Sequence, residues 1–176
     1  VDAVSQRAFI TLELLKGPTL DQVLSERPEG LTWDELREIA VPLIEALAYS
    51  HSRGVIHGDI KPSNVILAED GLRLFDYGLG QPLEGGLKNL PRLSRNRFKA
   101  WTTRYAAPEL LDGAEPSEAS DVYALGCLLY EMASGSPPFR RLNAKQAKAM
   151  GLDKELVRPQ NLACGWFTLR SALGFD

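Results

Sequence analysis

The sequence predicts a mostly helical α+β domain, and three features carry that expectation. Two long stretches, from Thr32 to Gly54 and from Glu118 to Ser134, have the patterning of helices. The strand-like runs are few and short, and two of them flank Asp70-Gly71, a hairpin signal. The chain has 176 residues, 44% hydrophobic and 24% charged, which suits one domain with a real core.

The elements follow in order. Phe9 to Leu15 reads FITLELL, an apolar and partly β-branched strand ended by Gly17-Pro18. A short helix is expected from Thr19 to Leu24. Thr32, with Glu35 three residues later, forms a capping box that opens a long helix. Leu36, Ile39, Ala40, Leu43, Ile44 and Leu47 give it one apolar face, and it should end near Ser52-Arg53-Gly54. Pro42 lies inside it and should bend it or leave a carbonyl free. Short strands are expected at Val55-Ile56, Val65 to Leu67 and Leu72 to Phe75. From Gly78 to Arg104 there is little periodicity, which in a compact domain marks a functional or disordered loop. Glu118 to Ser134 contains DVYALGCLLYEMA, apolar on nearly every side and therefore a buried helix. Leu142 to Phe175 should form two or three short helices broken at Pro159.

A net charge of −3 gives no reason to expect a nucleic-acid partner. Cys127 and Cys164 have no metal-ligand spacing and read as buried thiols of a reducing compartment. No apolar run reaches the ~18–20 residues that span a bilayer, and Val1 to Gln6 lacks the features of a signal peptide. The expectation is a cytoplasmic protein. A first residue other than Met suggests a piece of something longer.

The chemistry-bearing residues begin with His57-Gly58-Asp59-Ile60-Lys61-Pro62-Ser63-Asn64. This string resembles the catalytic loop of protein kinases, H-R-D-x-x-x-x-N. In phosphoryl transfer an Asp must accept or orient the proton of the attacking hydroxyl, and an Asn must turn back to the metal on the phosphates. A Lys two residues after the Asp can meet the charge of the transferred group. The resemblance implies Asp59 as catalytic base, Lys61 as phosphate contact and Asn64 as a Mg²⁺ ligand. Asp76-Tyr77-Gly78 looks like the family's D-F-G, with Asp76 the second Mg²⁺ ligand. A hairpin between the two motifs would bring Asn64 and Asp76 to one end. Two oxygens suit Mg²⁺, which keeps several waters. Tyr in place of Phe adds a hydroxyl that needs a partner.

Further along, Thr102-Thr103-Arg104-Tyr105-Ala106-Ala107-Pro108-Glu109 resembles the end of the activation segment. The resemblance implies that Thr102 contacts the catalytic Asp and Lys, and that Glu109 pairs with an Arg of a late helix, just beyond this chain. Ser120 to Gly126 resembles the start of the family's buried central helix, whose Asp, here Asp121, anchors the catalytic loop. A buried carboxylate there must be hydrogen-bonded. Leu12 to Gly17 looks like the hinge that binds adenine. It implies Leu12 as gatekeeper, Glu13 and Leu15 as backbone partners and Ile66 beneath the ring, with Ser63, Asn64 and Asp76 also facing the nucleotide. The resemblance covers residues 9 to 139 in order, so the expected activity is transfer of the γ-phosphate of ATP, with Mg²⁺, to a Ser or Thr of a protein.

Two departures stand out. Gly58 replaces the family's Arg, which puts a switch by loop phosphorylation in doubt. The first lysine is Lys16 and the first glycine Gly17, so the glycine-rich loop and the strand lysine over the phosphates have no counterpart. The expectation is a partial domain, 1–176, with a hinge strand at 9–15 and the larger lobe at 19–176. Its smaller lobe would come from the same longer chain, and the 176 residues alone would not be a competent kinase. The alternatives are a non-catalytic module built on a kinase lobe, and a small-molecule kinase of the aminoglycoside or choline type. The latter share H-G-D but carry His where this chain has Lys61 and lack A-P-E. The basic run Lys88, Arg92, Arg95, Arg97, Lys99 and Arg104 is either a solvated loop or a docking surface for acidic groups.

Overall fold

A computed structural model describes residues 13–77, 103–162 and 165–174. The described elements are α1 (Leu20–Ser25), α2 (Trp33–Ser52), β1 (Val65–Ala68), β2 (Gly71–Leu74), α3 (Pro108–Leu111), α4 (Glu118–Ser134), α5 (Ala144–Ala149) and α6 (Trp166–Ala172). Single 3₁₀ turns occupy Pro62–Asn64 and Leu152–Glu155. This is the expected mostly helical α+β arrangement.

Capping explains where the helices start. Thr19 caps α1 reciprocally with Gln22, and Thr32 caps α2 with Glu35, whose carboxylate accepts the Thr32 N–H at 2.9 Å. That backbone bond is the first cause lowering the Glu35 carboxyl below its usual value. Leu36, Ala40, Leu43, Leu47 and Ser50 form the buried stripe of α2, at alternating four- and three-residue steps. One expectation needs correction. Ile44 is 45% exposed, because it falls furthest from the centre of that stripe. Pro42 meets its expectation: α2 runs on through it, and the carbonyl left without an N–H partner is that of Glu38, an exposed residue.

Helix α4 is the pillar of the core. Eleven of its seventeen residues are buried, and Cys127, Leu128 and Met132 are fully enclosed, as is Leu43 of α2. It ends on Gly135 at φ +76°, where a Cβ would lie 2.0 Å from the Pro28 carbonyl oxygen. The connection between α1 and α2 therefore crosses the C-terminal end of α4, tied by Leu31 N–H to the Met132 carbonyl at 2.7 Å.

Strands β1 and β2 pair antiparallel from Val65 opposite Leu74 to Ala68 opposite Gly71. The turn residues are Glu69 and Asp70, so Gly71 opens β2 instead of completing the turn. Val65 and Leu67 pack against the core, and Ile66 between them does not. The strand expected at Val55-Ile56 is reduced to a single β-bridge residue, Val55, which also closes the end of α2 by donating to the Ser50 carbonyl at 2.9 Å. Of the strand expected at Phe9 to Leu15, residues 13–15 are not in a strand and the rest lies outside the described residues. The short helix α3 was not expected. No helix among the described residues is long and apolar enough to cross a membrane.

Candidate active site

The connection from α2 to β1 carries the candidate residues, and Asp121 of α4 fixes its backbone. Asp121 is 1% exposed. Its Oδ2 accepts the His57 N–H at 2.8 Å and its Oδ1 accepts the Gly58 N–H at 2.8 Å. A carboxylate oxygen only accepts, so His51, whose Nε2 is 2.9 Å from Oδ2, carries its proton at Nε2. The expectation that this buried acid needs partners is met three times over. His51 had no signal in the sequence beyond being a histidine in the last turn of α2.

His57 is fully buried and joins the two halves of the site. The Asp59 N–H can only donate, so His57 Nδ1 accepts it, at 3.2 Å. Its proton therefore sits on Nε2 and is donated to the Phe75 carbonyl at 3.0 Å. Burial lowers the imidazole pKa below 6.5, against the opposing pull of that carbonyl and of Asp121, Asp59 and Asp76, and favours this neutral form. The ring also lies 4.5 Å from that of Tyr77. The extra hydroxyl of Tyr77 finds Ser50 at 2.8 Å; Ser50 already donates to the Ala46 carbonyl, so Tyr77 donates to Ser50.

Asp59 is held on one side. Lys61 Nζ lies 2.6 Å from Asp59 Oδ2, and Asn64 Nδ2 donates to the Asp59 carbonyl at 2.9 Å and, more weakly, to Oδ2 at 3.3 Å. The other oxygen, Oδ1, is buried and accepts no hydrogen bond among the described residues. Asp59 also lines a cavity of about 30 Å³ with Tyr105, Ala106 and Leu110, room for one hydroxyl-sized group.

The hairpin register places Asn64 and Asp76 at the same end, as expected. The Phe75 N–H donates to the Asn64 carbonyl at 3.1 Å, extending the ladder by one step beyond Val65 and Leu74. Asp76 follows at once, exposed, with φ +62°. That left-handed conformation is uncommon for a residue with a side chain. Asn64, whose NH₂ is committed to Asp59, has only its oxygen left to offer. Two oxygen donors at the end of a hairpin fit Mg²⁺, which takes few protein ligands. Among the described residues no group of three or more acidic, His or Cys side chains competes as a metal site.

The remaining expected residues are more scattered. Ser63 is exposed in the 3₁₀ turn. Glu13 is exposed and Leu15 half-buried, but the chain that follows them is seated on β1. The Leu67 N–H donates to the Pro18 carbonyl at 2.9 Å, and Thr19 forms a bridge with Ile66. A Cβ on Gly17 would lie 2.2 Å from the Leu67 carbonyl oxygen, so only glycine permits this approach. Leu12, Thr102 and the basic run from Lys88 to Lys99 lie outside the described residues. Glu109 is exposed, with no ion pair among the described residues. Tyr105, two residues before Ala107, donates to Glu131 of α4 at 2.5 Å, a contact the motif reading did not foresee. Burial raises both pKa values.

The model of the protein kinase domain family matches residues 2–167. This chain belongs to the protein kinase domain family. Among similar proteins, the probable serine/threonine-protein kinase PkwA of Thermomonospora curvata is 35% identical over 138 residues, 78% of this chain and 18% of that protein. The serine/threonine-protein kinase RUNKEL of Arabidopsis thaliana is 40% identical over 137 residues, 77% of this chain and 10% of its own length. The serine/threonine-protein kinase PkaA of Streptomyces coelicolor is 34% identical over 157 residues, covering 87% of this chain and 28% of that protein. The chain thus spans less than a third of each of these relatives.

Proposed function

We propose that this kinase-family chain carries the catalytic loop of a serine/threonine protein kinase, which transfers the γ-phosphate of ATP to a hydroxyl of a protein. The observation that carries the reading is the asymmetry of Asp59. Lys61 and Asn64 hold Oδ2, while Oδ1 is buried and without a hydrogen-bond partner among the described residues, on a residue that lines a small cavity. A carboxylate fixed in this way can orient a substrate Ser or Thr hydroxyl and accept its proton.

Asn64 and Asp76 would hold Mg²⁺, which when bound neutralises charge on the phosphates. Lys61 would stabilise the charge of the transferred group, and Thr102 would help to set Asp59 and Lys61. Glu13 and Leu15 would meet adenine through their backbone, with Ile66 beneath the ring and Ser63 toward the phosphates. Ile66 suits that role because it turns away from the core. The elements that cover the phosphates would come from sequence outside these residues. Use of ATP fits a cytoplasmic location. Gly58, at φ +75°, offers no side chain to a phosphorylated activation loop.

Titration of the full-length protein with a non-hydrolysable ATP analogue, with and without Mg²⁺, tests the reading. Saturable binding below about 1 mM that requires Mg²⁺ is expected. Binding indifferent to Mg²⁺, or none, would favour a non-catalytic module instead.

A further inference from the structure

A cavity of about 680 Å³ lies beyond the C-terminal end of α4, in a part of the fold that the catalytic loop does not reach. That volume is within the range of sites that take up ligands. Phe139, Leu142, Leu152 and Leu156 give it apolar walls, and Val157 at its edge is 72% exposed. Its walls are fixed from two sides. Tyr130 of α4 donates to the Val157 carbonyl at 3.0 Å. A double turn after Pro137-Pro138 is held by Arg140 N–H to the Pro137 carbonyl at 3.0 Å and Leu142 N–H to the Phe139 carbonyl at 2.9 Å.

That turn presents Arg140 and Arg141 side by side on the cavity wall. Both are exposed, and neither forms an ion pair among the described residues. Arg140 has φ +54°, a conformation that normally falls to glycine or asparagine. Among the described side chains Glu155 is the one acidic residue in the lining, against Arg140 and Arg141, so the described lining is positive on a chain of net charge −3. Unpaired arginines beside exposed apolar surface complement a ligand that is both acidic and apolar.

We propose that this cavity docks a segment of a protein partner in which carboxylates flank a bulky apolar side chain. The apolar side chain enters between Phe139, Leu152 and Leu156, and the carboxylates meet Arg140 and Arg141. Docking here uses none of the residues around Asp59, so it goes beyond the catalytic reading and stands or falls separately from it.

The test is fluorescence anisotropy of the full-length protein with a labelled peptide, Asp-Glu-Leu-Phe-Glu-Asp. Saturable binding that weakens as salt rises is expected. The double variant Arg140→Gly/Arg141→Ser removes both charges while relaxing the backbone at 140, and should weaken binding roughly five- to twentyfold. A peptide with lysine in place of every acidic residue should not bind. Absence of saturation, equal binding of the lysine peptide, or unchanged affinity of the double variant overturns the proposal.

Discussion

Replacing Asp121 by Asn removes one negative charge from the centre of the catalytic-loop network and keeps its shape. Asp121 receives three hydrogen bonds, two at Oδ2 and one at Oδ1, while 1% exposed. An asparagine offers a single oxygen. Seated in place of Oδ2, it keeps His57 N–H and His51 Nε2–H as neutral bonds and turns its NH₂ toward the Gly58 N–H. One charge-assisted bond is lost, at about 1.5–3 kcal/mol, and two others weaken by about 1 kcal/mol each. The expected destabilisation is about 3.5–5 kcal/mol, a large share of the ~5–15 kcal/mol that holds a domain together. At a urea slope of ~2 kcal/mol/M the midpoint falls by about 1.7–2.5 M. His51→Ala removes one of the three donors and should cost only about 1–2 kcal/mol. The assay is urea unfolding followed by circular dichroism on both variants. An Asp121→Asn midpoint within about 0.3 M of wild type, or equal costs for the two variants, refutes the account of how the loop is held.

Two glycines with nearly the same backbone angle should behave differently. Gly135→Ala, at φ +76° with Pro28 O in the way, should cost about 3 kcal/mol or more, while Gly151→Ala, at φ +74° with nothing within 4 Å, should cost about 1 kcal/mol. Equal urea midpoints for the pair would remove the close crossing at the end of α4. The lowered pKa of His57 means the folded state binds its proton less readily than the unfolded chain. That contribution to stability is present above 6.5 and is lost as pH falls through the lower folded value. Imidazole ¹⁵N shifts should show the neutral His57 ring protonated at Nε2 and a titration midpoint below 6.5; titration at or above 6.5 contradicts the hydrogen-bonding scheme.

What the sequence made legible was local. Asp59, Lys61 and Asn64 share one loop, and their spacing alone brings them together around the Asp59 carboxylate. The hairpin carried Asn64 to Asp76 because two short strands and one turn leave little choice of register. Helix α4 was bounded correctly because its apolar run and its caps agree. What stayed hidden depends on residues far apart in sequence. His51 reaches Asp121 across 70 residues, and Tyr77 reaches Ser50 across 27. The need of Tyr77 for a partner was foreseeable; which helix supplies it was not. Val55-Ile56 looked like a strand from composition, yet only Val55 makes a β-bridge, and its N–H closes α2. Ile44 fits a helical period but sits at the rim of the stripe, a distinction that depends on what packs opposite.

The central claim is that Asp59 handles the hydroxyl while Asp76 holds the metal. The most direct measurement compares Asp59→Asn and Asp76→Asn in the full-length protein, by transfer of labelled γ-phosphate to a protein substrate and by Mg²⁺-dependent affinity for an ATP analogue. The account predicts that both variants lose transfer by about a hundredfold or more. Only Asp76→Asn should lose Mg²⁺-dependent affinity, with Asp59→Asn binding like wild type. Near-normal turnover in either variant, or loss of nucleotide affinity in Asp59→Asn alone, would contradict it.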